Sequence, residues 1–204
     1  MRTLYLASAS PRRVELLRQA GFDPKVVPSG APEGRRAGEA PAAMVLRLAR
    51  LKAGETAARL TVRGAGSGLV LAADTTVASG KLVLEKPESA AHARAMLARL
   101  SGKSHSVHTG VCIMDLGHRR AEAVAFVETT KVVFRSLSAQ EIDAYVATGE
   151  PLDKAGGYGI QGRAAAFVRR IEGDYCNVVG LPLARVSELL SAWPDSNSAA
   201  RRRR

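Results

Sequence analysis

Aromatic side chains are scarce in this chain, 4% of its 204 residues with a single tryptophan. Its core must therefore be built from Leu, Val, Ala and Ile. Nor are aromatic platforms interleaved with the basic residues, as base stacking on single strands favours. Cysteine is almost as rare. Cys112 and Cys176 lie far apart, match no metal or redox spacing, and read as reduced thiols of a cytoplasmic protein. No apolar run is long enough to span a bilayer, so no membrane partner is expected. A secretory h-region is also missing at the start, where Ser8, Pro11, Arg12 and Arg13 interrupt it. The four histidines carry no zinc-ligand spacing, and no local signature of a Ser-His-Asp or Cys-His hydrolase is present.

Acidic residues are outnumbered, 19 Asp and Glu against 30 Lys and Arg, for a formal net charge of +11. That balance points to an anionic partner, either nucleic acid or nucleotide phosphates. Part of the excess lies in Arg201–Arg204, at the end of a stretch from 193 to 204 that reads as a disordered basic tail. More is scattered over helix faces, at Arg47, Arg50, Arg59, Arg94 and Arg99. Nucleic acid is therefore not the expected main partner.

The composition is otherwise globular, 46% hydrophobic and 24% charged, with no repeat and no linker. One domain is expected over residues 1–192. A short strand at Pro24–Val27 precedes a loop over residues 28–40 that contains Glu33. Met44, Val45, Leu48 and Leu51 recur at helical spacing from Pro41 to about Leu60. Leu69–Ala78 reads as a buried central strand with Asp74 at its C-terminal end, turning through Ser79-Gly80 into a strand at Leu82–Leu84. A helix over Ser89–Leu100 is closed by Gly102. Val107–Leu116 and Ala123–Phe134 form a long antiparallel hairpin. Ser138 and Glu141 make a capping box for a helix to about Thr148. A glycine-rich loop follows at residues 156–162, then strands at Ala166–Ile171 and Asn177–Val179, and a last helix from Pro182. Strands alternating with helices, together with a long hairpin, indicate an α/β fold with a mixed sheet.

Chemistry concentrates at a few points. Ser10 fits as an N-cap and Pro11 as the first residue of a helix that then carries Arg12 and Arg13. Two cations are the wrong charge for a helix N-terminus unless an anion, typically phosphate, sits between them and the free N–H groups. A carboxylate such as Asp74, emerging from a buried strand, is placed to act as general base or metal ligand. Glu85-Lys86-Pro87 lies across a tight turn from it, so an acid could hold a cation beside a lysine that holds a phosphate oxygen. Lys52 follows Leu51 near the apolar side of its helix, although spacing alone makes it a solvated lysine. Gly157-x-Gly159-x-x-Gly162 imitates a dinucleotide fingerprint, but no strand runs into it and no helix follows. Its glycines instead let backbone approach a ligand, with Gln161 offering an amide to a base edge. Ser101-Gly102-Lys103-Ser104 fails as a P-loop because it follows a helix instead of preceding one.

Taken together, Ser8-x-Ser10-Pro11-Arg12-Arg13, Ala73-Asp74-Thr75, Glu85-Lys86-Pro87, Leu100-Ser101-Gly102, Gly149-Glu150-Pro151-x-Asp153-Lys154-Ala155-Gly156 and Val179-Gly180-Leu181-Pro182 resemble the Maf family of nucleoside triphosphate pyrophosphatases. The likeness runs from Leu4 to about Leu190. It implies an elongated mixed sheet flanked by helices, in two lobes with a central cleft, like that of inosine-triphosphate pyrophosphatases. It implies cleavage between the α and β phosphates with Mg²⁺ or Mn²⁺. Asp74 matches the family's proton acceptor. Arg12, Thr75 and Gln161 match positions linked to substrate choice, and Ser8, Arg13, Glu33, Lys52 and Lys86 match other cleft positions. The expected metal ligands are Asp74 with Glu33 or Glu85. Gly159-Ile160-Gln161-Gly162 with Phe167-Val168-Arg169 looks like the branch acting on dTTP and UTP. The branch acting on 7-methyl-GTP, another modified nucleotide as substrate, and a nucleic-acid-binding or cell-division regulatory role are the alternatives. The sequence leaves the oligomeric state open, a homodimer included.

Overall fold

The computed structural model describes residues 2–117 and 123–193. In chain order the elements are β1 (Leu4–Leu6), α1 (Pro11–Gln19), β2 (Lys25–Val26), α2 (Pro41–Val62), β3 (Leu69–Ser79), β4 (Leu82–Leu84), α3 (Ala90–Leu100), β5 (Ser104–Asp115), β6 (Ala123–Phe134), α4 (Ala139–Val146), β7 (Val168–Glu172), α5 (Tyr175–Val179) and α6 (Leu183–Ala192). Among the described residues the strands form one seven-stranded mixed sheet in the order β2-β1-β3-β5-β6-β7, with β4 paired to β3. β1 runs parallel to β2 and β3, and the remaining pairs are antiparallel. The α/β mixed-sheet architecture is therefore the observed one.

The period of two along β3 divides its side chains between two cores. Leu69, Leu71, Ala73 and Val77 join the larger core with Leu97, Leu100, Val111 and Phe134. Val70 and Ala72 face the other way and pack with Ala49 and Ala53 of α2. Burial on both faces is what made this run apolar throughout. Leu71 is fully buried, and truncating it to alanine would cost about 3 kcal/mol. α2 can lie close over the sheet because Gly110 of β5 has no side chain, and a Cβ there would overlap the backbone of Val45 and Leu46.

Several expectations are corrected. β3 runs on to Ser79, so Asp74 stands in mid-strand, paired with Gly110, and not at the strand's end. Asn177–Val179 is helical, because the Asp174 carboxylate accepts the Cys176 and Asn177 amides at 2.7 and 3.3 Å and caps α5 against the β preference of the valines. β7 begins at Val168, after a short 3-10 turn over Arg163–Phe167. Ser10 occupies the N-cap position of α1 without capping it, and its own amide donates to Ser8 Oγ at 3.3 Å. Ser138 and Glu141 do form the expected capping box. Trp193 belongs to the folded unit, its indole Nε1 donating to Asp115 Oδ2 at 3.2 Å. The rest of the expected tail, from 194 to 204, lies outside the described residues, as does the hairpin tip at His118 and Arg119. Among the described residues no helix is long and apolar enough to cross a membrane.

Candidate active site

A cleft of about 690 Å³ opens across the sheet. One wall is the turn from β1 into the start of α1, Ala7 to Arg13. Its floor carries Asp74, Thr75 and Val77 of β3, with Lys52 from α2, Lys86 following β4 and Glu33 from the loop before α2. The facing wall is the loop from Glu150 to Gly162 and the end of α5 at Val178–Gly180. Ser8, Arg12, Arg13, Glu33, Lys52, Asp74, Thr75, Lys86 and Gln161 are thus brought together, from elements far apart in sequence. Glu85 is not among the lining residues. It is exposed, and its carbonyl accepts the Gly156 amide at 3.2 Å.

Arg13 is buried and fixed by three elements at once. Its Nε donates to the Gly180 carbonyl at 2.8 Å, Nη1 to Ser8 Oγ at 2.9 Å and Nη2 to Thr75 Oγ1 at 3.0 Å. Burial lowers its pKa from the ordinary value while the nearby Asp74 charge opposes that shift; a guanidinium keeps its proton regardless. Thr75 Oγ1 also lies 2.9 Å from Thr109 Oγ1, so the hydroxyl is tied into the protein beside Arg13.

Lys52 points inward and is buried, contrary to the solvated lysine its spacing suggests. Nζ sits 2.7 Å from Asp74 Oδ1 and 2.6 Å from Glu33 Oε1. Burial pushes the Glu33 carboxyl up, but the Lys52 hydrogen bond and charge outweigh it and hold the pKa below its usual range. At the mouth, Arg12 Nη1 reaches across to Asp153 Oδ2 at 3.4 Å, and Lys154 Nζ lies 2.6 Å from Asp153 Oδ1. Lys154 Nζ also donates to the Glu150 carbonyl at 2.7 Å. Helix α1 has no acidic residue in its first turn. Its start at Ser10–Arg13 lines the cleft, so the partial positive charge of the helix N-terminus adds to these cations.

Residues 3–193 match the family model described as Maf-like protein. The chain belongs to this family. It is 52% identical over 191 residues to the dTTP/UTP pyrophosphatase of Salmonella typhimurium, covering 94% of this chain and 93% of that protein. It is 52% identical over 193 residues to the dTTP/UTP pyrophosphatase of Moorella thermoacetica, covering 95% and 96%. The dTTP/UTP pyrophosphatase of Salinibacter ruber is 53% identical over 192 residues, covering 93% of this chain and 90% of that protein. A solved nucleoside-triphosphatase / dITP/XTP pyrophosphatase from Mycobacterium abscessus is similar at a TM-score of 0.40 with 16% identity, over 80% of this chain and 93% of that one.

In this Maf-like chain the cleft also holds residues that the motifs flagged without a role. Asp153 and Lys154 were visible as the charged flank of the glycine-rich loop. Glu150 gave no separate signal, yet its carboxylate fills the space a Gly162 side chain would need. Gly162 is thus shaped around a protein carboxylate, and only a short 3-10 turn follows the glycines where a dinucleotide fingerprint needs an α-helix. Among the described residues no three His, Cys, Asp or Glu side chains gather as a ready metal cluster. The donor chemistry at Lys52 is nonetheless suited to a hard cation. Two carboxylate oxygens converge on one ammonium, at 2.6 and 2.7 Å, and oxygen donors of this kind bind Mg²⁺ or Mn²⁺ once phosphate and water complete the shell.

Proposed function

We propose that this chain hydrolyses dTTP and UTP between the α and β phosphates, releasing the nucleoside monophosphate and pyrophosphate in the cytoplasm. The single observation that carries the reading is one cleft lined by Arg12, Arg13, Lys52 and Lys86 around the strand-borne Asp74. A nucleoside triphosphate carries about four negative charges near neutral pH. Those four cations, with Lys154 at the mouth, can meet that charge by exchanging the carboxylates of Glu33, Asp74 and Asp153, which line the same cleft, for phosphate oxygens. The relatives at about half identity, named as dTTP/UTP pyrophosphatases, support the choice of substrate.

Arg13, locked by Ser8, Thr75 and Gly180, is preorganised and needs no rearrangement to meet a phosphate oxygen. Arg12 and Lys86 extend the cationic wall toward the mouth. Asp74 orients a water and takes its proton as the oxygen attacks phosphorus, and the pyrophosphate leaves against Lys52, Lys86 and the arginines. Glu33 and Asp74 are the residues that would hold a divalent metal, whose chemistry is to make a water acidic and to neutralise phosphate charge. Gln161, exposed in the cleft wall, offers both a donor and an acceptor to the pyrimidine edge. The domain expected over 1–192 is the catalytic unit.

A panel of triphosphates, assayed for pyrophosphate release with and without Mg²⁺ or Mn²⁺, tests this directly. Release from dTTP and UTP, dependent on metal, is expected. Turnover of another triphosphate with dTTP and UTP inert would overturn the substrate, and no turnover of any would overturn the activity.

A further inference from the structure

Gln161 is held from behind by a carboxylate on both sides of it. It is the third residue of a turn closed by the Gly162 amide donating to the Gly159 carbonyl at 3.0 Å. Two residues before it, the Gly159 amide donates to the hydroxyl of Tyr145 at 3.1 Å, and that hydroxyl donates onward to Glu150 Oε1 at 2.9 Å. Two residues after it, the Arg163 amide donates to Glu150 Oε2 at 3.1 Å. One carboxylate thus grips the loop on either flank of Gln161, once directly and once through a tyrosine. The fit depends on Gly162, because any Cβ there would overlap the Glu150 carboxylate. Tyr145 is buried and outside the cleft lining, and burial raises its pKa, so it remains a proton donor to Glu150.

We infer that Tyr145 and Glu150 are positioning residues that set the direction in which Gln161 presents its amide to the nucleotide base, and so set the base preference of the cleft. This rests on the proposed role of Gln161 as base reader. Gln161 is exposed, so what aims it is the backbone it projects from, which Tyr145 and Glu150 hold on both flanks. The place of that backbone sets which base edge the amide can reach.

The test measures kcat and KM for dTTP, UTP, dCTP, dATP and dGTP with the wild type, Gln161→Ala, Tyr145→Phe and the Tyr145→Phe/Gln161→Ala double variant. Loss of one hydrogen bond in the relay is expected to lower the ratio of kcat/KM between the preferred and the next nucleotide by about fivefold to tenfold, mostly through KM. The double variant is expected to match Gln161→Ala, because no reader remains to be aimed. A merely structural tyrosine would lower the melting temperature and leave the ratio alone, which would overturn the inference. Glu150→Ala covers a Tyr145→Phe chain that does not fold, since it removes the acceptor on both flanks of Gln161; an unchanged ratio there also overturns it. An unchanged ratio in Gln161→Ala refutes the reader role itself. A changed ratio in Gln161→Ala with none in Tyr145→Phe refutes only the positioning.

Discussion

Lys52 Nζ lies 2.7 Å from Asp74 Oδ1 and shares itself with Glu33 at 2.6 Å. The ammonium therefore keeps two carboxylates compatible within one cleft. Replacing it in Lys52→Met leaves like charges facing each other with the phosphate cation gone. The expected outcome is a loss of about a hundredfold in kcat/KM, by analogy with the removal of one preorganised charge-stabilising group. Initial rates of pyrophosphate release measure it.

Asp74→Asn keeps the volume and removes the proton acceptor. Turnover is expected to fall by a factor of about a thousand or more, within the range general bases supply. The fold should survive, because Asp74 is only partly buried and its strand neighbours carry the core. A circular-dichroism melt close to wild type, beside an abolished rate, is the expected pair of results; near-full rate would remove Asp74 from the chemistry.

His105 gives the fold a pH dependence of its own. It is buried, its Nε2 lies 2.8 Å from the Tyr158 hydroxyl, and burial lowers its pKa to about 4. The unfolded chain binds this proton near pH 6.5, the folded chain only near 4, so stability falls as pH drops through that window. The sign follows because the unfolded state holds more protons there. The loss amounts to about 3 kcal/mol by pH 4. Denaturant unfolding between pH 7 and 4 should show it in the wild type, with a shallower slope in His105→Gln.

Gly110→Ala would push a methyl group into the α2 backbone at Val45. Overpacking of this kind costs about 1–3 kcal/mol. Because Gly110 is the register partner of Asp74 and α2 carries Lys52, the variant should lose activity beyond its loss of stability. Comparing kcat at a temperature well below each melting point separates the two effects.

The core elements were legible because their signals are local. The continuous apolar run of β3, the Ser138–Glu141 box of α4 and the long hairpin each declare themselves within a dozen residues. Asn177–Val179 misled because β-branched side chains favour strand, whereas one Asp174 carboxylate oxygen accepts two backbone N–H groups and tips the segment into a helix. Asp74 was found, but its place in mid-strand was not, since strand length depends on pairing with β5. The inward turn of Lys52 depends on α2 crossing the sheet at Gly110, a contact that no spacing along α2 encodes. Glu150 was invisible as a separate signal because its partners at Tyr145, Gly162 and Arg163 are set by the path of a loop.

Arg12 and Asp153 join the two banks of the cleft. On the proposed function, the entrance carries an anion of its own. An incoming polyphosphate then takes over a cation that a carboxylate had kept in place, trading one negative partner for another. Such a swap requires little reshaping of either bank, and it makes the side chain at 153 a competitor that the substrate must outbid on every turnover.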